Sequence, residues 1–405
     1  MLLYLLGMKV LHVAESIWGG CGTYLNELVP LQSETLSAEN VRVIAPDAHT
    51  AILTDVAQTQ ISKFHRPGRA VGLGHLLLRL IGEIRRFRPD VIHAHSTFAG
   101  AWVRGLALCL PRMPKIIYCP HGWSFYTARS SLARRWMQAA ERWQSRHSAA
   151  IVAISDTERE AGEAAGIAPE KLILIRNGLR PTMRVDTQAQ WTDSRVKALF
   201  VGRLDRQKGV DVLLAAMRVL QEKVCVRIVG EAVVGGRNSG GRGNGSSGRG
   251  AGSGGSGEGL DGGSGSGEHR TELGNVEYLG WLNQSAVAEQ INACDLVVMP
   301  SRWEGFPLVA MEAMRSAKPL VASAVGGLKE IVLDRVTGRL VPADDTAALV
   351  AALQADSREQ LAQMGRAGRD RFLANYSIDK THTQMLSLYR SVLDVSPSAA
   401  ATQAR

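Results

Sequence analysis

Cysteine is scarce in this sequence: five in 405 residues, at positions 21, 109, 119, 225 and 294. The count is odd, the spacing irregular, and no Cys-x-x-Cys occurs. That excludes a disulfide framework or a cysteine zinc site and points to a reducing cytosol. Aromatic residues make up only 5%, which argues against a surface built for stacking on bases or sugar rings. No apolar run reaches the ~18 residues of a spanning helix. Met1–Leu6 is apolar but short, lacks a basic region before it and gives way to Lys9, so no signal peptide is expected.

What is present is a pattern. Apolar residues make up 45%, and a domain prior of roughly 100–200 residues predicts two or three domains. Short apolar, β-rich runs alternate with helical periodicity. Strands are expected at Lys9–Val13, Val41–Ala45, Val91–Ala94, Ile116–Cys119, Ala149–Ile154 and Leu172–Ile175, then at Ala198–Val201, Val224–Val229, Val276–Leu279, Leu296–Met299, Pro319–Ala322 and Arg339–Val341. Between them, Leu76–Arg88, Leu132–Ser145, Val210–Leu220 and Leu308–Ser316 read as helices. Such alternation implies parallel sheets with helices on both faces. Twelve strands are too many for one compact unit, and a split near Pro181–Ser194 gives two α/β domains of similar size. Ligands of such sheets sit at the carboxyl ends of the strands, at a switch point.

The net charge of +9 is uneven: residues 1–185 hold 22 Lys/Arg and 14 Asp/Glu, and the remainder 25 and 24. Between 63 and 147 there are 15 basic residues against Glu83, Asp90 and Glu141. An anionic partner for the first half is expected, whether membrane, acidic substrate or nucleic acid. The stretch 235–267 holds 17 glycines; it cannot bury enough apolar surface to order itself and reads as a disordered insertion. The tail after Ser396 reads likewise.

The strongest chemical signal is Glu304-Gly-Phe-Pro-Leu-Val-Ala-Met-Glu312. It places Glu304 in the loop after a strand and Glu312 well into the following helix, on the face of Leu308. Pro307 suits the first helical turn, and the helix N-terminus offers free N–H groups to a diphosphate. Gly19, Gly20 and Gly22 form a loop between the first strand and a helix that lets the backbone approach a phosphate. This loop is not Gly-x-Gly-x-x-Gly, so the dinucleotide fingerprint fails there. Arg203 and Lys208 are cations after another strand, suited to a diphosphate. His121 follows the strand ending at Cys119. His93 and His95 form His-x-His at a further strand end, but no carboxylate or cysteine cluster accompanies them in sequence, so no metal is expected.

Together these elements resemble the retaining glycosyltransferases of family 4. The resemblance is carried by the Glu-x7-Glu element within Asp295-Leu-Val-Val-Met-Pro-Ser-Arg-Trp-Glu-Gly-Phe-Pro and by Lys318-Pro-Leu-Val-Ala-Ser-Ala-Val-Gly-Gly-Leu-Lys-Glu-Ile331. Phe200-Val-Gly-Arg-Leu-Asp-Arg-Gln-Lys-Gly209, Arg176-Asn-Gly178, His121-Gly122 and Gly19-Gly-Cys-Gly22 extend it from about Met8 to Val392. It implies the GT-B fold: two Rossmann-like domains facing across a cleft. The acceptor domain would be 8–185, the sugar-nucleotide domain 195–372, and a last helix within 373–395 would cross back. It implies transfer of a sugar from a nucleoside diphosphate sugar to a glycan or polyprenyl-linked acceptor, with retained configuration and no metal or other cofactor. The expected setting is exopolysaccharide or lipopolysaccharide synthesis at the inner face of the cytoplasmic membrane. By resemblance, His121, Arg203, Lys208 and Glu304 are catalytic. Gly19, Gly20, Gly22, Gly202, Gly230, Gly305, Phe306, Leu308, Val309 and Glu312 hold the donor, and His95 and Asn177 face the acceptor.

Two features depart from the family. After Arg227-Ile-Val-Gly-Glu231 comes Ala232 and the Gly-rich insertion, where a second glycine and a proline usually follow. Pro307 removes a backbone donor that some members keep. The segment 129–147 carries Arg129, Arg134, Arg135, Arg142 and Arg146 beside Leu132, Trp136, Met137 and Trp143. It reads either as a helix packed on the sheet or, with Arg79, Arg85, Arg86 and Arg88, as a surface for anionic lipid. The alternatives to a transferase are a sugar-nucleotide epimerase or hydrolase on the same fold and an inactive sugar-nucleotide-binding protein.

Overall fold

The computed structural model describes residues 7–110, 112–128, 130–183, 187, 189–231, 269–270 and 273–394. The Gly-rich stretch 235–267 and the tail after Ser396, both expected to be disordered, lie outside the described residues, as does Met1–Leu6.

The chain begins with β1 (Val10–Ala14), α1 (Gly20–Leu36), β2 (Val41–Pro46), β3 (Ile61–Phe64), α2 (Arg69–Phe87) and β4 (Val91–His95). It continues with α3 (Thr97–Leu106), β5 (Lys115–Cys119), α4 (Ser131–Ser145), β6 (Ala150–Ala153), α5 (Asp156–Ala164) and β7 (Leu172–Leu174). These seven strands form a sheet in the order β3-β2-β1-β4-β5-β6-β7, parallel throughout. Sequence reading missed β3, whose Ile-Ser-Lys-Phe has too short an apolar run to stand out.

The second unit holds β8 (Val196–Val201), α6 (Val210–Val219), β9 (Val224–Val229), β10 (His269–Arg270), β11 (Val276–Gly280), α7 (Gln284–Ala293) and β12 (Leu296–Met299). Then follow α8 (Leu308–Arg315), β13 (Leu320–Ser323), α9 (Leu328–Ile331), β14 (Gly338–Val341), α10 (Thr346–Leu353), α11 (Arg358–Asn375) and α12 (Ile378–Asp394). The sheet order is β10-β11-β9-β8-β12-β13-β14. All pairings are parallel except that of the two-residue β10, which runs antiparallel to β11. This is the GT-B architecture of two Rossmann-like domains. The central strands read as continuous apolar runs because both faces are covered: every residue of β1, β4 and β12 is buried.

Both sheets change winding direction beside their first strand, between β1 and β4 and between β8 and β12. The carboxyl ends of those strands flank a crevice, and the two crevices face each other. Trp18 meets Trp281 with ring centroids 6.2 Å apart. The N–H groups of Asp156 and Thr157, at the start of α5, donate to the Glu330 carboxylate at 3.0 and 2.9 Å. The final helix α12 packs on α1, placing Tyr389 in the interior of the first unit.

One helix turns its apolar face outward. α4 buries Glu141 and Ser145 while Leu132, Trp136, Met137 and Trp143 are exposed, Trp136 by 70%. Glu141 is held beneath the helix by the fully buried Arg104, at 2.9 Å, and by the Tyr118 hydroxyl at 3.2 Å. Of the two readings of this segment, the apolar face packed on the sheet is therefore the wrong one.

Candidate active site between the two sheets

On the side of the second sheet, the strand-end loops carry opposite charges. Lys208 Nζ lies 2.6 Å from Glu304 Oε1, and the Ser301 hydroxyl donates to the same oxygen at 2.7 Å. Glu304 is 6% exposed, so its charge depends on those two partners. Its backbone is fixed too: Gly326 has φ +47°, and a Cβ there would stand 1.9 Å from the Glu304 carbonyl oxygen. Gly230, at φ +141°, abuts Gly202 so closely that a Cβ would fall 1.9 Å from the Gly202 oxygen. The two loops after β8 and β9 thus form one surface. Arg203 reaches outward, 58% exposed, with Asp205 at 3.2 Å and Gln207 at 2.7 Å.

α8 begins at Leu308, so Pro307 caps the helix from outside rather than filling its first turn. Its restricted φ and missing N–H serve equally well there. Leu308 reaches the first unit, since a Cβ on Gly20 would lie 3.7 Å from Leu308 Cδ1. Gly305 sits over the His121 turn, where a Cβ would lie 3.5 Å from Gly122 Cα. Phe306 is buried with its ring edge-on to Tyr376, and Val309 is half-buried. Glu312 is buried, and burial raises its carboxyl above the usual range against the opposing pull of Arg315.

On the side of the first sheet, a chain of neutral imidazoles runs from the core to the crevice and ends at His121. His12 on β1 and His93 on β4 are register partners, and His95 lies two residues further along the same face. His12 Nε2 lies 2.7 Å from Gln32 Oε1, and His12 Nδ1 lies 2.9 Å from His95 Nε2. His95 Nδ1 then lies 3.0 Å from His121 Nε2. Gln32 Nε2 donates to the Tyr389 hydroxyl at 3.2 Å, and Tyr389 lies 2.7 Å from His93 Nδ1. Burial pushes His12 and His121 down to about 4 and drives His93 and His95 well below the ordinary histidine value. With every ring neutral and the Gln32 oxygen an obligate acceptor, the donor order is set: His12 Nε2–H to Gln32, His95 Nε2–H to His12, His121 Nε2–H to His95. His121 Nδ1 therefore carries a lone pair.

His121 has φ +51°, a left-handed conformation rare for a residue with a side chain. The turn is held by Glu158, whose carboxylate accepts from Gly122 N–H at 2.6 Å and Ile154 N–H at 2.7 Å. Burial raises Glu158 to about 7 against the pull of those bonds. Gly19 precedes α1, which has no side-chain cap; the Gly22 N–H folds back to the Gly19 carbonyl at 3.1 Å.

The structure thus brings Gly19, Gly20, Gly22, His121, Gly305, Leu308, Lys208 and Glu304 to facing strand ends. His95 differs from expectation. It is fully buried, with both ring nitrogens engaged, and reaches the crevice only through His121. Asn177 is buried beside the crossover into α12, where a Cβ on Gly178 would touch the Ser377 oxygen at 2.6 Å. The Asn177 Oδ1 has no hydrogen-bond partner among the described residues. Sequence reading missed His12, Gln32, Tyr389 and Glu158. Only a His on β1 in register with His-x-His on β4 could have hinted at the first, and that needs the strand pairing.

Residues 18–182 match the family model described as Glycosyltransferase Family 4, and residues 185–371 match that described as Glycosyl transferases group 1. The chain belongs to the family 4, group 1 glycosyltransferases. An uncharacterized 41.2 kDa protein in the cps region of Klebsiella pneumoniae is 29% identical over 84% of this glycosyltransferase and 87% of its own length. A glycogen synthase of Mycobacterium tuberculosis is 27% identical over 87% and 80% of the respective chains. Among solved structures, Anabaena Alr3699/HepE in complex with UDP-glucose superposes with a TM-score of 0.71 at 18% identity, over 95% of this glycosyltransferase and all of that chain.

Proposed function

We propose that this glycosyltransferase moves a hexose, with retained configuration, from a nucleoside diphosphate sugar to a lipid-linked or glycan acceptor of a cell-surface polysaccharide. The observation that carries the reading is the Lys208–Glu304 pair facing the His121 turn from the opposite sheet. Lys208, with Arg203 swinging in from solvent, neutralises the departing diphosphate, whose charge grows as the sugar leaves. Glu304 orients the sugar hydroxyls. Glu312, one turn into α8, takes the ribose. The His121 Nδ1 lone pair accepts a hydrogen bond from the reacting sugar or the acceptor.

Retaining glycosidases need two carboxylates ~5 Å apart. No second carboxylate is assigned to that place here, and the reading is a front-face route in which the leaving phosphate helps to deprotonate the acceptor. Protein cations fill the role of a metal ion. The exposed Trp136 and Trp143 on α4, with Arg134, Arg135 and Arg142 on the same helix, favour rest on an anionic lipid surface. No described helix is long and apolar enough to cross a membrane. The UDP-glucose named for the Anabaena structure makes UDP-hexoses the first donors to try, and the cps region named for the Klebsiella relative favours a capsular product.

The test is a donor screen. UDP-, GDP- and ADP-sugars are incubated with the protein in EDTA, with and without membrane extract, and nucleoside diphosphate release is assayed. Release from one donor, dependent on the extract, is expected. Donor binding without release defeats the transferase reading in favour of an inactive binding protein. An epimerised nucleotide sugar formed without acceptor favours the epimerase.

A further inference from the structure

The histidine side of the crevice holds one more group. Cys21, in the first turn of α1, joins His95 and His121: each presents one donor atom, and these atoms lie within 4.8 Å of one another. The three residues come from three elements that the fold converges. The facing nitrogens, His95 Nδ1 and His121 Nε2, are 3.0 Å apart. Around a tetrahedral zinc ion, with Zn–N of about 2.0–2.1 Å and Zn–S of about 2.3 Å, ligand atoms stand about 3.3–3.6 Å from each other. The imidazoles need to part by a few tenths of an ångström and the thiol to move in by about 1 Å.

We infer that Cys21, His95 and His121 bind one zinc ion, with a fourth position open to the crevice. A second observation supports this reading: the shell behind the ligands is already built. His95 Nε2–H donates to His12 at 2.9 Å, and His12 is held in turn by Gln32 at 2.7 Å, the outer support that orients ligating histidines. His95 Nδ1 carries the lone pair that a metal requires. The other close triad, His12, His93 and His95, is fully buried and offers no anion, so a divalent ion there would leave two charges uncompensated in the core. Cys21 supplies a thiolate, and Cys21 and His121 are both partly exposed.

Binding forms one Zn–S and two Zn–N bonds in exchange for hydration waters. The Cys21 proton leaves to solvent, and the His121 ring proton moves from Nε2 to Nδ1. About one proton is therefore released per ion bound. The ion takes the imidazole that the proposed function gives to the sugar. Resting on that reading, zinc is an inhibitor and not a cofactor.

Cobalt(II) is the probe. The full-length chain, stripped with chelator, is titrated with Co2+ at pH 7.5. The expected result is about one equivalent bound, with a thiolate-to-cobalt charge-transfer band and intense tetrahedral ligand-field bands, both bleached by Zn2+. Cys109→Ser, which removes the exposed thiol, leaves the spectrum unchanged. Cys21→Ser and Cys21→Ala abolish the charge-transfer band and weaken binding at least ~10-fold, with circular dichroism unchanged. No charge-transfer band in the native chain, or a band that survives in both folded Cys21 variants, overturns the site. A bound ion that leaves nucleoside diphosphate release undiminished keeps the site and removes His121 from the reaction.

Discussion

The two walls of the crevice are built by opposite means. The wall of the second sheet exposes long cations and anchors a buried carboxylate with Lys208 and Ser301. The wall of the first sheet is backed by a chain of neutral imidazoles that runs from Gln32 through His12 and His95 to His121, where the last lone pair is left over at Nδ1. The first unit has buried carboxylates in ion pairs as well: Glu141 with Arg104 under α4, and Glu15 with Arg66 just past the end of β1. The difference teaches a division of labour. On the proposed function, charge sits where charge develops during transfer, and a neutral, direction-fixed group sits where a hydroxyl is to be recognised.

Substitutions at the two ion pairs should separate these uses most sharply. Lys208→Ala should lower turnover about 10²–10³-fold in the donor-release assay, with a smaller drop in the urea midpoint than Glu141→Ala, because Ser301 still donates to the Glu304 carboxylate. Glu141→Ala should do the reverse, since it strands the fully buried Arg104. A loss of about 3–5 kcal/mol in urea unfolding is expected, with turnover per folded molecule preserved. If Lys208→Ala proves the more destabilising of the two, the division fails.

Acid titration probes the neutral wall. His12 and His121 are held down to about 4 in the folded chain, so the unfolded chain takes up more protons below its own histidine pKa of about 6.5. Their contribution to stability is complete above pH ~6.5 and is lost as pH falls through about 4. Glu158 has the opposite sign. Raised to about 7, it favours folding fully below its unfolded value near 4.5, and that contribution is lost as pH rises through 7. Glu158→Gln should therefore remove the fall between about pH 4.5 and 7, so that the histidine-driven rise of the urea midpoint over the same interval becomes steeper. The smallest effect belongs to the exposed helix: Trp136→Ser should weaken sedimentation with anionic vesicles several-fold while leaving turnover on a soluble acceptor unchanged.

Much of this was legible before the fold. The strand ending at Cys119, the helix from Val210 and the loop at Glu304 fall where apolar runs and periodicity put them, because both sheets are covered and their central strands read as plain apolar runs. What stayed hidden depends on pairing between distant segments. His12 sits in an apolar run where a single histidine looks structural. Glu158 looks like an ordinary first-turn acid of α5. Cys21 looks inert until α1 is set beside the ends of β4 and β5. The exposure of Trp136 stayed one of two readings for the converse reason: helical spacing shows that an apolar face exists but not which way it turns, and the buried Arg104–Glu141 pair decides that.

The crossover of α12 has a consequence for synthesis. Tyr389 anchors the far end of the histidine chain, yet it is translated about 215 residues after β7 closes the first sheet. At 5–20 residues per second the first unit waits roughly 10–40 s on the ribosome with its polar interior unfinished. During that interval His93 and Gln32 lack their hydroxyl partner, and the α1 surface that α12 will cover stands open to chaperones.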